Sequence, residues 1–204
     1  MLAGRHIVLG VTGGIAAYKS AYIARRLMER GATVLPVMTV SATRFLGPPT
    51  LAALTGRQPV MGFFDEEDVS PHTELARWAD AIVVAPATAA TISRIAHGES
   101  SEVLTGTVLA TTAPVVIAPA MHTEMWEHEA TRDNIRSLRS LGYRIVPPEE
   151  GPLAGGDVGV GRLADPDAIV EAVDSALEEG DMDGLSVIVT AGGTREPIDP
   201  VRYI

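Results

Sequence analysis

The chain has 204 residues, 46% of them hydrophobic but only 4% aromatic, so its core must be built mainly from Val, Ile, Leu and Ala. A formal net charge of -10, with Lys19 the single lysine, excludes the basic surface that nucleic-acid phosphates demand. With no cysteine there are no disulfides or thiolate metal sites, and no apolar run reaches the roughly 18 residues that cross a bilayer. No signal peptide is evident at Met1, and a cytoplasmic location is expected.

The first apolar run, His6–Val11, predicts a buried strand followed by the turn Thr12-Gly13-Gly14. A helix over residues 15–30 follows, with Ile15, Ile23 and Leu27 on its core stripe and Ala16 and Ala24 beside it. Gly31 closes it where a left-handed residue is commonly required. Thr33–Met38 predicts the second strand and residues 81–85 the third; residues 115–118 and 143–146 supply two more. Helices are expected over residues 88–96, 102–110, 131–141 and 167–177. Strands alternating with helices are the mark of stacked βαβ units, so the fold expected is α/β, a doubly wound parallel sheet of the flavodoxin/Rossmann-like, three-layer type.

Residues 147–166 break this rhythm with Gly151, Gly155, Gly156, Gly159 and Gly161, and read as a loop of about 20 residues, a length that is usually functional or disordered. Residues 178–184 read as an acidic linker. A fresh strand over 186–190 and Ala191-Gly192-Gly193-Thr194 then repeat the strand-then-glycine arrangement of the N-terminus. The expected division is a domain over 1–178, a linker over 179–184, and the start of a second domain over 185–204 that ends too early to complete a fold.

Several segments could carry chemistry. Gly13, Gly14 and Ile15 follow a strand, where backbone N–H groups can approach a phosphate. The spacing is neither a dinucleotide fingerprint nor a P-loop, which favours a mononucleotide; a plain tight turn is the competing reading. Thr39, Ser41 and Thr43 can bond a phosphate or cap a helix beginning near Ala42. Pro86, Ala87 and Thr88 end the third strand with small residues that leave room for a flat ring, or with Thr88 as an ordinary cap. His72 can take a proton at neutral pH, although a lone histidine is more often a surface or capping residue. That second reading is kept for His97 and His128, while His6 belongs to the first strand. Met121, Met125 and Trp126 form an apolar wall with His122 and Glu124 displayed on it, either as a ligand edge or as core. No cluster has metal-ligand spacing, so no metal is expected.

Taken in order, Gly13 to Lys19, His72 with Glu74-Leu75 and Trp78-Ala79-Asp80, Pro119-Ala120-Met121, and Gly156 to Arg162 resemble the phosphopantothenoylcysteine decarboxylases. These belong to the homo-oligomeric flavin-containing cysteine decarboxylases, and the likeness spans nearly all of residues 4–178. The tail from Thr190 to Ile204 is similar to the opening of phosphopantothenate–cysteine ligase, whose nucleotide-binding body is not in this sequence. The resemblance implies FMN held by Gly13, Gly14, Ile15, Thr39, Pro86, Ala87, Thr88 and Met121, and a homotrimer with the cofactor between subunits. It implies 4′-phosphopantothenoylcysteine as substrate, oxidised to a thioaldehyde, decarboxylated, and reduced again to phosphopantetheine. His72 would be the catalytic histidine of the oxidative half. Substrate would meet His122, Met125, Gly156 and Arg162.

Two departures stand out. The family motif reads Pro-Ala-Met-Asn where this chain has His122, and its flap carries a cysteine where this chain has Gly155. His122 can supply the asparagine's hydrogen bond to the substrate carboxylate. The last proton must come from His122, Asp157 or water, or else the enethiol is the product. A related peptidyl-cysteine decarboxylase or flavin prenyltransferase is disfavoured by the ligase-like tail; a non-catalytic flavin-binding regulator is the remaining rival.

Overall fold

Residues alternate across the sheet, and both of its faces are apolar. In β1 (His6–Val11), Ile7, Leu9 and Val11 enter one hydrophobic cluster and Val8 the other, all fully buried. In β3 (Ala81–Ala87), Ala81, Val83 and Ala85 face the first cluster and Ile82 and Val84 the second. A strand apolar on both sides requires helices above and below it. This computed structural model describes residues 2–63 and 70–178; the expected linker, the strand over 186–190 and the ligase-like tail lie outside the described residues.

With β2 (Thr33–Met38), β4 (Val115–Pro119) and β5 (Arg144–Ile145), the sheet has the order β2-β1-β3-β4-β5, and every neighbouring pair is parallel. The helices in chain order are α1 (Ser20–Glu29), α2 (Pro48–Thr55), α3 (Pro71–Trp78), α4 (Ala89–Ala96), α5 (Val103–Ala110), α6 (Thr123–Glu127), α7 (Glu129–Ser140) and α8 (Pro166–Leu177). Ile23 and Leu27 of α1, Leu51 of α2 and Ile169 and Val173 of α8 close one face. Leu75 of α3, Ile92 of α4, Leu104 of α5 and Leu138 of α7 close the other.

Helix α5 presses onto the sheet where β1 has no side chain. A Cβ on Gly10 would stand 2.5 Å from Leu104 Cδ1. Gly10→Val is therefore expected to destabilise the fold by about 1–3 kcal/mol through overpacking. Urea unfolding checks this, and an unchanged midpoint would show that α5 can move aside.

The structure corrects the sequence reading in four places. The helix expected over residues 15–30 is broken into a 3-10 turn, Ile15–Lys19, and α1. Ser20 Oγ donates to the Ala85 carbonyl at 2.7 Å and pins the first turn of α1 against β3. Ile15 thereby leaves the core stripe and is 58% exposed. Second, residues 147–166 are not a loop throughout: β6 (Glu149–Pro152) and β7 (Val158–Arg162) form an antiparallel hairpin. Third, α2, α3 and α6 were not expected, since α2 buries only Leu51, α3 only Leu75 and Ala76, and α6 nothing. Fourth, β5 shrinks to two residues at the sheet edge while β3 runs on to Ala87.

Candidate functional site

From β1 the chain winds outward to β2, then returns to lay β3 on the other side of β1. At such a reversal the loops after the two central strands diverge, leaving a crevice at their carboxyl ends where ligands bind. A cleft of about 340 Å³ occupies this place. Its walls are Gly13, Gly14 and Ile15 after β1, Thr88 and Ala89 after β3, and Ala120, Met121 and His122 after β4.

Thr12 locks the first two walls together. Its Oγ1 donates to the Pro86 carbonyl at 2.7 Å and accepts from the Thr88 N–H at 3.0 Å. The Gly13 backbone lies against Ser41, whose side chain a Cβ at residue 13 would overlap. Ser41 Oγ in turn lies 3.1 Å from Thr39 Oγ1. Both threonines act as caps: Thr39 Oγ1 accepts from the Ala42 N–H at 3.3 Å, and Thr88 Oγ1 from the Thr91 N–H at 3.4 Å.

The β6–β7 hairpin roofs the cleft. The Met121 N–H donates to the Gly161 carbonyl at 3.0 Å. A Cβ at Gly161 would overlap the Met121 carbonyl oxygen, and one at Gly159 would overlap Thr123 Oγ1. These glycines let two backbones meet. The turn joining the strands closes through the Leu153 N–H donating to the Asp157 carbonyl at 2.7 Å, with Gly156 at φ +93°. Gly155 stands beside His122: its Cβ would lie 3.3 Å from His122 Cε1 and 3.4 Å from Asp157 Oδ2. Lys19 Nζ donates to the Leu163 carbonyl at 3.1 Å. Burial pushes its ammonium below the ordinary lysine range and the Arg162 guanidinium pushes the same way, against the pull of Glu149 and Asp165.

Of the expected cofactor residues, Gly13, Gly14, Ile15, Thr88 and Met121 line this cleft. Pro86 and Ala87 are buried behind it in β3, and Thr39 instead opens onto a second cavity of about 220 Å³ with Met38, Phe63 and Glu102. Of the expected substrate and catalytic residues, His122, Met125 and Arg162 line the main cleft; Gly156 and Asp157 sit at the hairpin turn, and His72 lies away from it on α3. The His72 ring meets Phe63 edge-on at 5.3 Å, and its Nδ1 is buried without a hydrogen-bond partner among the described residues. His97 and His128 do bond locally: His97 Nδ1 lies 2.7 Å from the Ser93 carbonyl, and His128 Nδ1 accepts from the Ala130 N–H at 3.2 Å. The sequence reading missed Leu163, Ala154, Pro152 and Leu153 as lining residues. The glycine run at 151–161 was the available signal for the last two. Among the described residues no His, Asp or Glu cluster could hold a metal ion, and no helix is long and apolar enough to cross a membrane.

A doubly wound 2-1-3-4-5 sheet with a roofed cleft at its reversal defines a cofactor-binding α/β domain. The chain belongs to the Flavoprotein family, which matches residues 1–178; the DNA/pantothenate metabolism flavoprotein C-terminal domain matches residues 182–204. It is 47% identical over 205 aligned residues to the coenzyme A biosynthesis bifunctional protein CoaBC of Vibrio cholerae, which covers 100% of this chain and 51% of the relative. The chain thus spans about half the length of the curated relatives it matches. Among solved structures it is similar to the FMN-dependent cysteine decarboxylase SpaF, with 36% identity and a TM-score of 0.77 over 87% of this chain and 100% of the other. It is also similar to a cysteine-to-serine variant of a PPC decarboxylase complexed with pantothenoylaminoethenethiol, with 32% identity and a TM-score of 0.75 over 84% and 97% of the two chains.

Proposed function

We propose that this chain decarboxylates 4′-phosphopantothenoylcysteine to 4′-phosphopantetheine with FMN, as the lyase part of a cytosolic coenzyme A biosynthetic protein. The ligase step would belong to a longer protein, of which residues 185–204 are the beginning. The division into residues 1–178, a linker over 179–184 and that second domain is supported by two family matches that meet near residue 180. The observation that carries the reading is the meeting, in one cleft, of the Gly13-Gly14 turn, the Met121-His122 wall and the glycine-built hairpin.

The residues present suit FMN. Gly14 leaves the backbone open beside the turn that Gly13 packs against Ser41, Ala89 and Ala120 leave width, and Ile15 and Met125 offer apolar surface that the core does not use, at 58% and 47% exposure. Gly13, Gly14, Ile15, Thr88 and Met121 would hold the cofactor, with Pro86 and Ala87 fixing the turn behind them and Thr39 reaching it from the neighbouring cavity. FMN, when bound, supplies a two-electron acceptor that is afterwards returned as donor, so no external reductant is consumed.

The chain's own groups do the rest. His72 accepts a proton in the oxidative half. His122 orients the substrate carboxylate from the cleft wall, Met125 and Gly156 bound the substrate, and His122 with Asp157 delivers the final proton beneath the hairpin. His72 stands outside the cleft lining of its own chain with a buried Nδ1 that has no partner among the described residues, a costly state unless another group completes it. This supports a homotrimer in which His72 serves a neighbouring subunit's cleft.

Mass spectrometry of the products formed from 4′-phosphopantothenoylcysteine tests the proposal. Carbon dioxide loss with phosphopantetheine as product is the expected result. Unchanged substrate in the presence of bound FMN would replace the enzyme reading with that of a flavin-binding regulator.

A further inference from the structure

Lys19 and Arg162 enter the main cleft from different walls, the first from the 3-10 turn after β1 and the second from the end of β7. Both line the same cleft, where burial first and the Arg162 guanidinium second disfavour the charged ammonium. In a chain of net charge -10, neighbouring carboxylates could be expected to neutralise both. Glu149 and Asp165 do pull on the ammonium, but neither forms an ion pair with Lys19 or Arg162, and each places a carboxylate oxygen on a backbone N–H. Glu149 Oε1 accepts from the Asp165 N–H at 2.8 Å, and Asp165 Oδ1 accepts from the Asp167 N–H at 2.9 Å, so both serve the start of α8.

Among the described residues neither Lys19 nor Arg162 forms an ion pair. The Lys19 bond to the Leu163 carbonyl occupies one N–H donor and supplies no counter-charge. The Arg162 side chain lies across Gly151, where a Cβ would come within 3.1 Å of its Cδ and 3.2 Å of its Nη1. The missing side chain at residue 151 gives the guanidinium its place. A half-buried ammonium and an exposed guanidinium thus share one cleft without an ion-pair partner among the described residues, and an anion bound between them would offset the burial and the mutual repulsion that disfavour the charged lysine.

We infer that Lys19 and Arg162 form the subsite for the 4′-phosphate of the substrate, an inference that rests on the decarboxylase reading. A planar guanidinium beside an ammonium suits a phosphate monoester, which offers several oxygens to both. The substrate's other anion, its carboxylate, is accounted for by His122. The competing occupant with the same chemistry is the phosphate of FMN.

Steady-state kinetics of the FMN-loaded protein on 4′-phosphopantothenoylcysteine and on its dephosphorylated analogue separate these cases. Arg162→Gln and Lys19→Gln are each expected to raise KM for the phosphorylated substrate about tenfold or more, with kcat little changed. Neither should alter kcat/KM for the dephosphorylated analogue by more than about twofold. Arg162→Lys, which keeps the charge, should recover part of the loss. Equal loss on both substrates would overturn the inference, and so would weakened FMN binding in a fluorescence titration without any change in discrimination. Should the wild-type chain turn over neither substrate, the decarboxylase reading fails and calorimetry with inorganic phosphate decides the subsite. Binding weakened about tenfold by Arg162→Gln would support it, and binding absent or unaffected would overturn it.

Discussion

His72→Asn is expected to stop carbon dioxide release, by about 10²–10⁴-fold, while FMN stays bound. Asparagine can form a hydrogen bond but cannot take up a proton. His72 sits at the second position of α3 after Pro71, half-buried against Phe63, and lines neither Gly13-Gly14 nor the hairpin. Its loss should therefore leave flavin absorbance and the unfolding midpoint nearly unchanged. The same separation predicts complementation. Mixing His72→Asn with the cleft variant His122→Leu and allowing subunits to exchange should restore a fraction of the activity that neither has alone. Retention of more than a tenth of wild-type turnover by His72→Asn would remove this histidine from the proton-transfer role. A lack of complementation after proven exchange would place the whole site within one subunit.

Much of the fold is legible because its strands are apolar on both faces. The run from Ile7 to Val11 has no polar residue to spare for a solvent face, and only a sheet covered on both sides accepts it. Helices with a continuous stripe, such as α7 with buried Thr131, Ile135 and Leu138, announce themselves the same way. Helix α5 is read by its apolar content, being buried almost all round from Val103 to Val108. What the pattern hides are α2, α3 and α6, which bury so little that no stripe forms.

The site is less legible, because glycine has two meanings. In the 147–166 segment, glycine density reads as a loop. At Gly159 and Gly161 the missing side chain instead allows β7 to lie directly on the backbone after β4. That contact depends on residues about forty positions away and cannot be seen locally. Lys19 poses a similar problem. It follows an apparently helical Ile15-Ala16-Ala17-Tyr18 run, and only the break before Ser20 turns it towards Leu163 and the cleft. Thr39 and Thr88, in contrast, were open to two readings, and the capping bonds of both are present.

His122→Asn is expected to leave decarboxylation running but to divert the product to the enethiol, two hydrogens short of phosphopantetheine. The ratio of the two products should shift by about 10²-fold, the weight of one positioned proton donor. Asparagine preserves a hydrogen bond to the substrate carboxylate, so binding and carbon dioxide loss survive; it cannot surrender a proton, so the reduction stalls. The geometry around Gly155 gives the reason for expecting this role. A side chain there would press on His122 Cε1 at 3.3 Å and on Asp157 Oδ2 at 3.4 Å, so its absence leaves the imidazole and the carboxylate free on either side of the same point. The family resemblance puts a cysteine at this very position. Gly155→Cys alone should crowd His122 and lower turnover, whereas His122→Asn combined with Gly155→Cys should return the product to phosphopantetheine. Mass spectrometry of the quenched reaction reads all three variants. Clean phosphopantetheine from His122→Asn alone would transfer the proton to Asp157 or water, and Asp157→Asn in the same background would then tell those two apart.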